Sequence, residues 1–565
     1  MASRFEQFAL SLMDEYLSWE PAYATQLGWH KYDHVLKDLS PEAHASQADR
    51  CDQLIRQLEA TSVRSLPADD ALDRDLAIHL LELRRFESGT LRLFEREAVA
   101  CNELGYSLFL LFCRDKPSLD ARMESIIARI EAAPRFLEKS KKGVTRPLRL
   151  WNEAAHEVCS ELPAFIKTIE ESADKWNLSK GQSRRLHDAV RECIPAIEQH
   201  NDWVAKDIIP SSSNEIAILP EEYSQYFQLR GYGVTASEAL EIGEIYMPLC
   251  KDSISAIAKS VVPSGDFEKA IDLMKSDHPP TFAAVIEEYR EAVSKARDFV
   301  VKHEVCAVPP NEKLLVIETP QFMRPIYSSA GQFEPGRFDD DRTGLFVVTP
   351  DESNPMLLRE HSRIGIINTS VHEGYPGHHL QGICSNQNPS YIRAVVMSPD
   401  FSEGWALYTE EMMISRGHND TALGRLAMLN DMLFRIVRLI VEVKLAMGEM
   451  TLEEGANMLE RECSIEPKSA KIEARACAMS PTYFSSYFIG KLAMLQLRED
   501  AERAMGPRFS LKFFHDALLG AGCMPMSFMR RALEIRLRDD YDIELGQQRE
   551  KLHEYAVRKA RSPAL

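Results

Sequence analysis

The sequence predicts a mainly α fold: a large helical assembly with one small β element. Two observations carry this prediction. Apolar residues recur at helical spacing through most of the chain, and only two short β-branched runs, both bounded by Pro, break the pattern. With 565 residues there is ample chain to bury a core. The chain divides into a mainly helical block over 1–308, a strand-loop-strand element over 309–350 and a second helical block over 351–565.

The first block is read from segments such as LDRDLAIHLLELRRF, where Leu72, Leu76, Leu80 and Leu83 share a face with charges between them. Pro117, Pro134, Pro163, Pro210 and Pro220 are read as breaks between helices. In the β element, KLLVIETP and TGLFVVTP read as strands of a hairpin-like unit, joined by the loop YSSAGQFEPGRFDDDR. The second strand, GLFVV, is expected to offer an edge to an extended peptide. After Ile364 the pattern is helical to the end, with a frayed tail from Arg558.

Composition narrows the function. The chain has 67 Lys+Arg against 86 Asp+Glu, a net charge of −19, which repels phosphate backbones and argues against a nucleic-acid partner. No run approaches the roughly 20 apolar residues of a spanning helix. The segment MASRFEQFALSLMDEYLSWEPAY lacks a basic region followed by an apolar one, so no secretory signal is read and no membrane partner is expected. Eleven cysteines without a CxxC pair suit reduced, buried thiols, and a cytoplasmic location is expected.

Chemistry concentrates in VHEGYPGHHLQ, which holds His372, Glu373, His378 and His379. A His-Glu pair followed by a second His is the logic of zinc hydrolases: neutral imidazoles hold the metal and the Glu takes a proton from water. The usual HExxH spacing fails, because Pro376 occupies the fourth position after His372. On a regular helix His378 would lie about 9 Å along the axis and about 240° around from His372, and His379 about 10.5 Å away. A bulge over Gly374–Gly377 that absorbs two residues selects His378, and one that absorbs three selects His379; the geometry favours His378. The competing reading makes Ser370-x-x-Glu373 a helix capping box.

A third ligand is sought in SPDFSEGWALYTEEMM, where Asp400 or Ser402 is read as the N-cap of a helix. Catalytic zinc takes three protein ligands, and Glu403 completes a His₂Glu set. Glu410, two turns along, is placed to orient a histidine, and Glu411 to face solvent. Tyr487 and His515 are candidate oxyanion donors, a core tyrosine and a satisfied buried imidazole being the alternatives. Arg337 and Arg342 flank Asp339–Asp341 and are candidates for binding a substrate carboxylate, with salt bridges to those neighbours the alternative.

HEGYPGHHLQ followed by EGWALYTEE resembles the signature of the domain-of-unknown-function 885 family, large helical proteins similar to zinc peptidases of the gluzincin type. PAYATQLGWHKYD, ETPQFMRPIYSSAGQFEPGRFDDDRTGLFVV, YFIGKLAMLQLRED and FHDALLGAGCMP extend the resemblance over nearly the whole chain. It implies a zincin-like helix pair beside the β element, with Zn²⁺ held by His372, His378 and Glu403 and Glu373 as general base. GQFEPGRFDDDR is more acidic than the family's pattern, which bears on substrate preference. The function expected is zinc-dependent hydrolysis of amide bonds in short peptides; a non-peptide amidase and a non-catalytic helical binding protein are the alternatives.

Overall fold

The computed structural model describes residues 3–114, 116–176, 178–319, 330–349 and 355–561. Helices dominate as the periodicity predicts. Leu72, Leu76 and Leu80 are buried on the helix Ala68–Phe86. Two expected breaks are absent: Pro134 lies inside the helix Leu119–Ser140 and Pro163 inside Arg149–Lys175. A proline removes one hydrogen bond, and packing of the long amphipathic faces on either side carries the helix through it. The tail is also more ordered than expected, since Arg558 belongs to the helix Leu552–Ala560 and pairs with Glu550 at 2.6 Å.

The β element is a three-stranded sheet, β1 (Lys313–Glu318), β2 (Ala330–Phe333) and β3 (Thr343–Val348), in the order β1-β3-β2. The two predicted strands are β1 and β3, but they run parallel, pairing Lys313 with Thr343 through Glu318 with Val348. Parallel strands need a crossover rather than a hairpin. Part of the expected loop is itself a strand: β2 pairs antiparallel with β3, Ala330 opposite Val348. The rest of the first predicted strand-loop boundary, PQFMRPIYSS, lies outside the described residues. GLFVV is therefore the central strand and offers no edge. Its unbroken apolar run has the same origin, because Phe346 and Val348 join one buried cluster while Val347 joins another on the opposite face.

Buried clusters cross the divisions at 308 and 350. One gathers Leu12, Leu72, Phe346, Trp405 and Leu533, and a second gathers Tyr223, Ile242, Ile440, Phe488 and Tyr555. All eleven cysteines are free thiols, nine of them buried. Among the described residues, no helix is long and apolar enough to cross a membrane.

One helix crossing sets the spacing of the backbone around Glu403. The helices Pro399–Ser415 and Ser485–Met505 touch backbone to backbone at Gly404 and Gly490. A Cβ at Gly404 would lie 2.5 Å from the Gly490 carbonyl carbon, and one at Gly490 would lie 1.9 Å from the Asp400 oxygen. The obstacle is backbone, so it cannot rotate away. Gly490→Ala is expected to destabilise the fold by about 1–3 kcal/mol or more, read as a lower urea midpoint; a midpoint equal to wild type would contradict this crossing.

Candidate metal centre

The first contributing helix, Arg363–Glu373, is capped at its start by Ser362, whose Oγ accepts from the Gly365 N–H at 3.2 Å. Ser370 and Glu373 lie at its far end, so they form no capping box. The helix stops at Glu373 and a new one, His378–Ser385, begins five residues on. The expected bulge is thus a complete break: Pro376 has no N–H with which to continue the ladder. The turn folds back tightly, with the Gly377 N–H donating to the Val371 carbonyl at 3.0 Å. A Cβ at Gly377 would stand 1.8 Å from the His372 carbonyl oxygen, so only glycine fits.

This turn is held from two sides. Trp405 Nε1 donates to the Pro376 carbonyl at 2.9 Å. Glu312, just before β1, accepts from Tyr375 Oη and, at 2.8 Å, from Arg297 Nε, and pairs with His379 Nε2 at 2.9 Å. Burial would raise the pKa of Glu312, but these hydrogen bonds outweigh it and hold it at about 2. His379 is thereby turned away, its ring packed so closely on β3 that a Cβ at Gly344 would lie 2.5 Å from Nδ1.

His378 faces the opposite way, towards His372. Ligand atoms of His372, His378 and Glu403 all lie within 4.8 Å of one another. Glu403 Oε2 stands 3.3 Å from His378 Nε2 and 3.6 Å from His372 Nε2. That oxygen is fully buried and makes no hydrogen bond of good geometry. The other, Oε1, accepts from Tyr483 Oη at 2.6 Å. Glu403 sits one turn inside its helix, whose N-cap is Ser398 rather than Asp400 or Ser402. Asp400 instead accepts from the Met526 N–H at 3.0 Å, and burial raises its pKa to about 6.

Behind the cluster, Glu410 Oε1 pairs with His372 Nδ1 at 2.7 Å, and Glu410 Oε2 accepts from Asn368 at 2.9 Å. With its proton on Nδ1, neutral His372 presents Nε2 to Glu403, the arrangement by which an outer carboxylate fixes a ligand's tautomer. Asn368 also donates to Asp431 at 2.7 Å. Burial alone would lower the pKa of His372, but its bonds to Glu403 and Glu410 push it up to about 10. His378 is raised as well, burial being outweighed by Glu403, and Glu403 is held well below the carboxylate range by the two imidazoles despite its burial. The charge of Glu373, half-buried at the helix end, also favours the protonated form of both rings. The pocket as built is rich in anionic charge and attracts a cation.

Other predicted residues are placed elsewhere. His515 is fully buried, its Nδ1 paired with the Val305 carbonyl at 2.8 Å and its Nε2 with Tyr408 Oη at 2.9 Å; burial lowers its pKa to about 3. It is a satisfied core imidazole and not a donor in the site. Arg337 neither meets the cluster nor pairs with Asp339–Asp341: it donates to the carbonyls of Ser385, Asn388 and Ser390, clamping the end of the His378–Ser385 helix. Arg342 is exposed just before β3, and its carbonyl accepts from the Lys313 N–H at 3.1 Å. Asp339 pairs with His30 at 2.9 Å, a contact between distant segments that sequence proximity hides. Glu411 does not simply face solvent but pairs with buried Lys491 at 2.6 Å.

Tyr487 does lie beside the cluster. Its ring meets Tyr483 at 5.8 Å and packs under the Arg438 guanidinium at 4.7 Å. Tyr483, which touches Glu403 directly, is missed by the sequence reading; the signal that marks it is the four-residue spacing of two tyrosines ahead of the Gly490 crossing.

A mainly helical protein with a buried His₂Glu cluster drawn from three helices is the class that fold and site define. The chain belongs to the family described as "Bacterial protein of unknown function (DUF885)", whose model matches residues 21–533. Two solved structures share the fold. One, a protein from Shewanella oneidensis described as a lipoprotein of unknown function, is 22% identical with a TM-score of 0.78, covering 94% of this chain and 100% of its own. The other, from Colwellia psychrerythraea and described as a lipoprotein, is 15% identical with a TM-score of 0.82, covering 95% and 99%. No curated protein matches.

His372, His378 and Glu403 form a candidate group for holding a cation, and its occupancy has a pH signature. A proton held by His372 below about pH 10 must leave when the cation binds, so uptake releases protons and apparent affinity climbs from neutral pH towards that value. Calorimetry in buffers of different ionisation enthalpy measures the release. His378→Ala is expected to lose the site and His379→Ala to keep it; the reverse pattern, or uptake without proton release, would contradict the assignment.

Proposed function

We propose that this protein is a zinc-dependent hydrolase of amide bonds that acts on short peptides. The observation that carries the reading is the buried Oε2 of Glu403, 3.3 and 3.6 Å from two imidazole nitrogens and without a hydrogen bond of good geometry, with a second carboxylate, Glu373, whose charge reaches both rings. Three protein donors of this kind are a standard set for catalytic zinc. His372, His378 and Glu403 would hold the ion, which when bound acidifies water and polarises a carbonyl.

Glu373 serves as the general base. It takes one proton from the attacking water as the water oxygen bonds to the amide carbon. It then delivers that proton to the nitrogen as the carbon–nitrogen bond breaks. Glu410 keeps His372 in the orientation that presents Nε2, and Tyr483 fixes the Glu403 carboxylate by occupying Oε1. Tyr487 supplies a hydrogen bond to the carbonyl oxygen as it gains charge, a contribution of about 2.7–4 kcal/mol in comparable sites. The ligands are narrowly accessible, with 14% of the His378 side chain and 9% of that of Glu403 exposed, which favours a slender substrate.

The test is hydrolysis by the zinc-loaded protein of peptides from two to ten residues with free and blocked termini, alongside acylated amines. Glu373→Gln is expected to keep its zinc and lose activity by about 10²–10⁴-fold. Full activity in that variant would overturn the mechanism, and cleavage of acylated amines alone would move the substrate class away from peptides.

A further inference from the structure

A second group of metal-ligating side chains stands on helices that contribute nothing to the histidine–glutamate cluster. Cys101 lies in the first turn of the helix Ala100–Cys113, Cys159 midway along Arg149–Lys175, and His200 in the last turn of Lys180–Trp203. Their ligand atoms lie within 4.8 Å of one another. Each residue is 1% exposed. His200 leans on Trp203, ring centroids 5.0 Å apart, and neither ring nitrogen makes a hydrogen bond of good geometry.

That last fact needs a physical reason. A buried imidazole without a partner costs the desolvation of its polar atoms, and natural cores rarely leave one so. The compensation at hand is weak: the two cysteines sit in an apolar cluster with Leu104, Leu162 and Ile197, and the Leu137 backbone approaches the His200 ring without good hydrogen-bond geometry. A cation shared with the two sulfurs would complete one ring nitrogen. Donors about 2.3 Å from a common ion stand roughly 4 Å apart, so shifts under about 1 Å would close the set.

We propose that Cys101, Cys159 and His200 form a buried site for a thiophilic monovalent ion, copper(I). The donor types are soft, which selects copper(I), zinc or iron–sulfur clusters. The donor number decides among them. Structural zinc is almost always four-coordinate, and among the described residues the group offers three donors. Copper(I) accepts three. Binding exchanges thiol protons for the ion, and the protons pass to solvent.

The experiment is an anaerobic titration of the full chain with copper(I) against a chromophoric copper(I) chelator. The wild type is expected to withdraw one more equivalent than Cys101→Ser or Cys159→Ser and to gain near-ultraviolet thiolate-to-copper absorption that both variants lose. His200→Gln should weaken this equivalent at least ~10-fold. Cys463→Ser, on the helix Leu452–Cys463 in a different buried cluster, and Glu403→Gln should both retain it. Should the serine variants fail to fold, wild-type protein gives the same answer: copper(I) slows maleimide labelling of Cys101 and Cys159 relative to half-buried Cys113, read by mass spectrometry. Equal stoichiometry in wild type and cysteine variants, zinc held there as tightly as copper(I), or a Cys101–Cys159 disulfide without bound copper would overturn the proposal.

Discussion

A carboxylate withdrawn from water is among the most costly things a fold can contain, and Glu403 is one, its Oε2 facing two imidazoles without a hydrogen bond of good geometry. Everything around it works against that cost. Two imidazoles face it, one of them backed by Glu410, and the sister oxygen is tied to Tyr483. Further back, Asn368 bridges Glu410 to Asp431, so no member of the chain of contacts floats free. Partial satisfaction of this sort, with many anionic groups and one open acceptor, is the electrostatic shape of a cation site.

Backbone sterics put those groups in place. The bare Cα of Gly377 packs on the carbonyl of His372, which brings the next helix close enough for His378 to face His372, ring centroids 4.8 Å apart. The Gly404–Gly490 contact then lets two helices approach without intervening side chains, setting Tyr483 against Glu403. Trp405 links these two devices by donating to Pro376. The sheet contributes from behind: Gly344 leaves space for His379, and Glu312 anchors it away from His378.

The fold class was legible because helical periodicity is a local property, and the grouping of His372, His378 and Glu403 was legible because these residue types lie within about thirty positions of one another. Contacts between distant segments were not. His30 meets Asp339 across 309 positions, and His379 meets Glu312 across 67; neither pairing has a local signature. His515 and Arg337 carry reactive groups that pair with backbone carbonyls, His515 with the Tyr408 hydroxyl as well, and a sequence does not show which carbonyl a side chain will find. The order of the sheet was hidden for the same reason: β2 is too short and too glycine-rich to declare itself, and its insertion beside β3 is what makes the longer strand central. Even so, the unbroken apolar character of GLFVV was already the mark of a strand buried on both faces.

The central claim is that His372, His378 and Glu403 share one ion. Anomalous scattering recorded on either side of the zinc absorption edge, from crystals grown with zinc, tests it most directly. The account predicts a single strong peak among His372 Nε2, His378 Nε2 and Glu403 Oε2, with His379 still paired to Glu312. A peak bound by His379, or none within reach of Glu403, would contradict it.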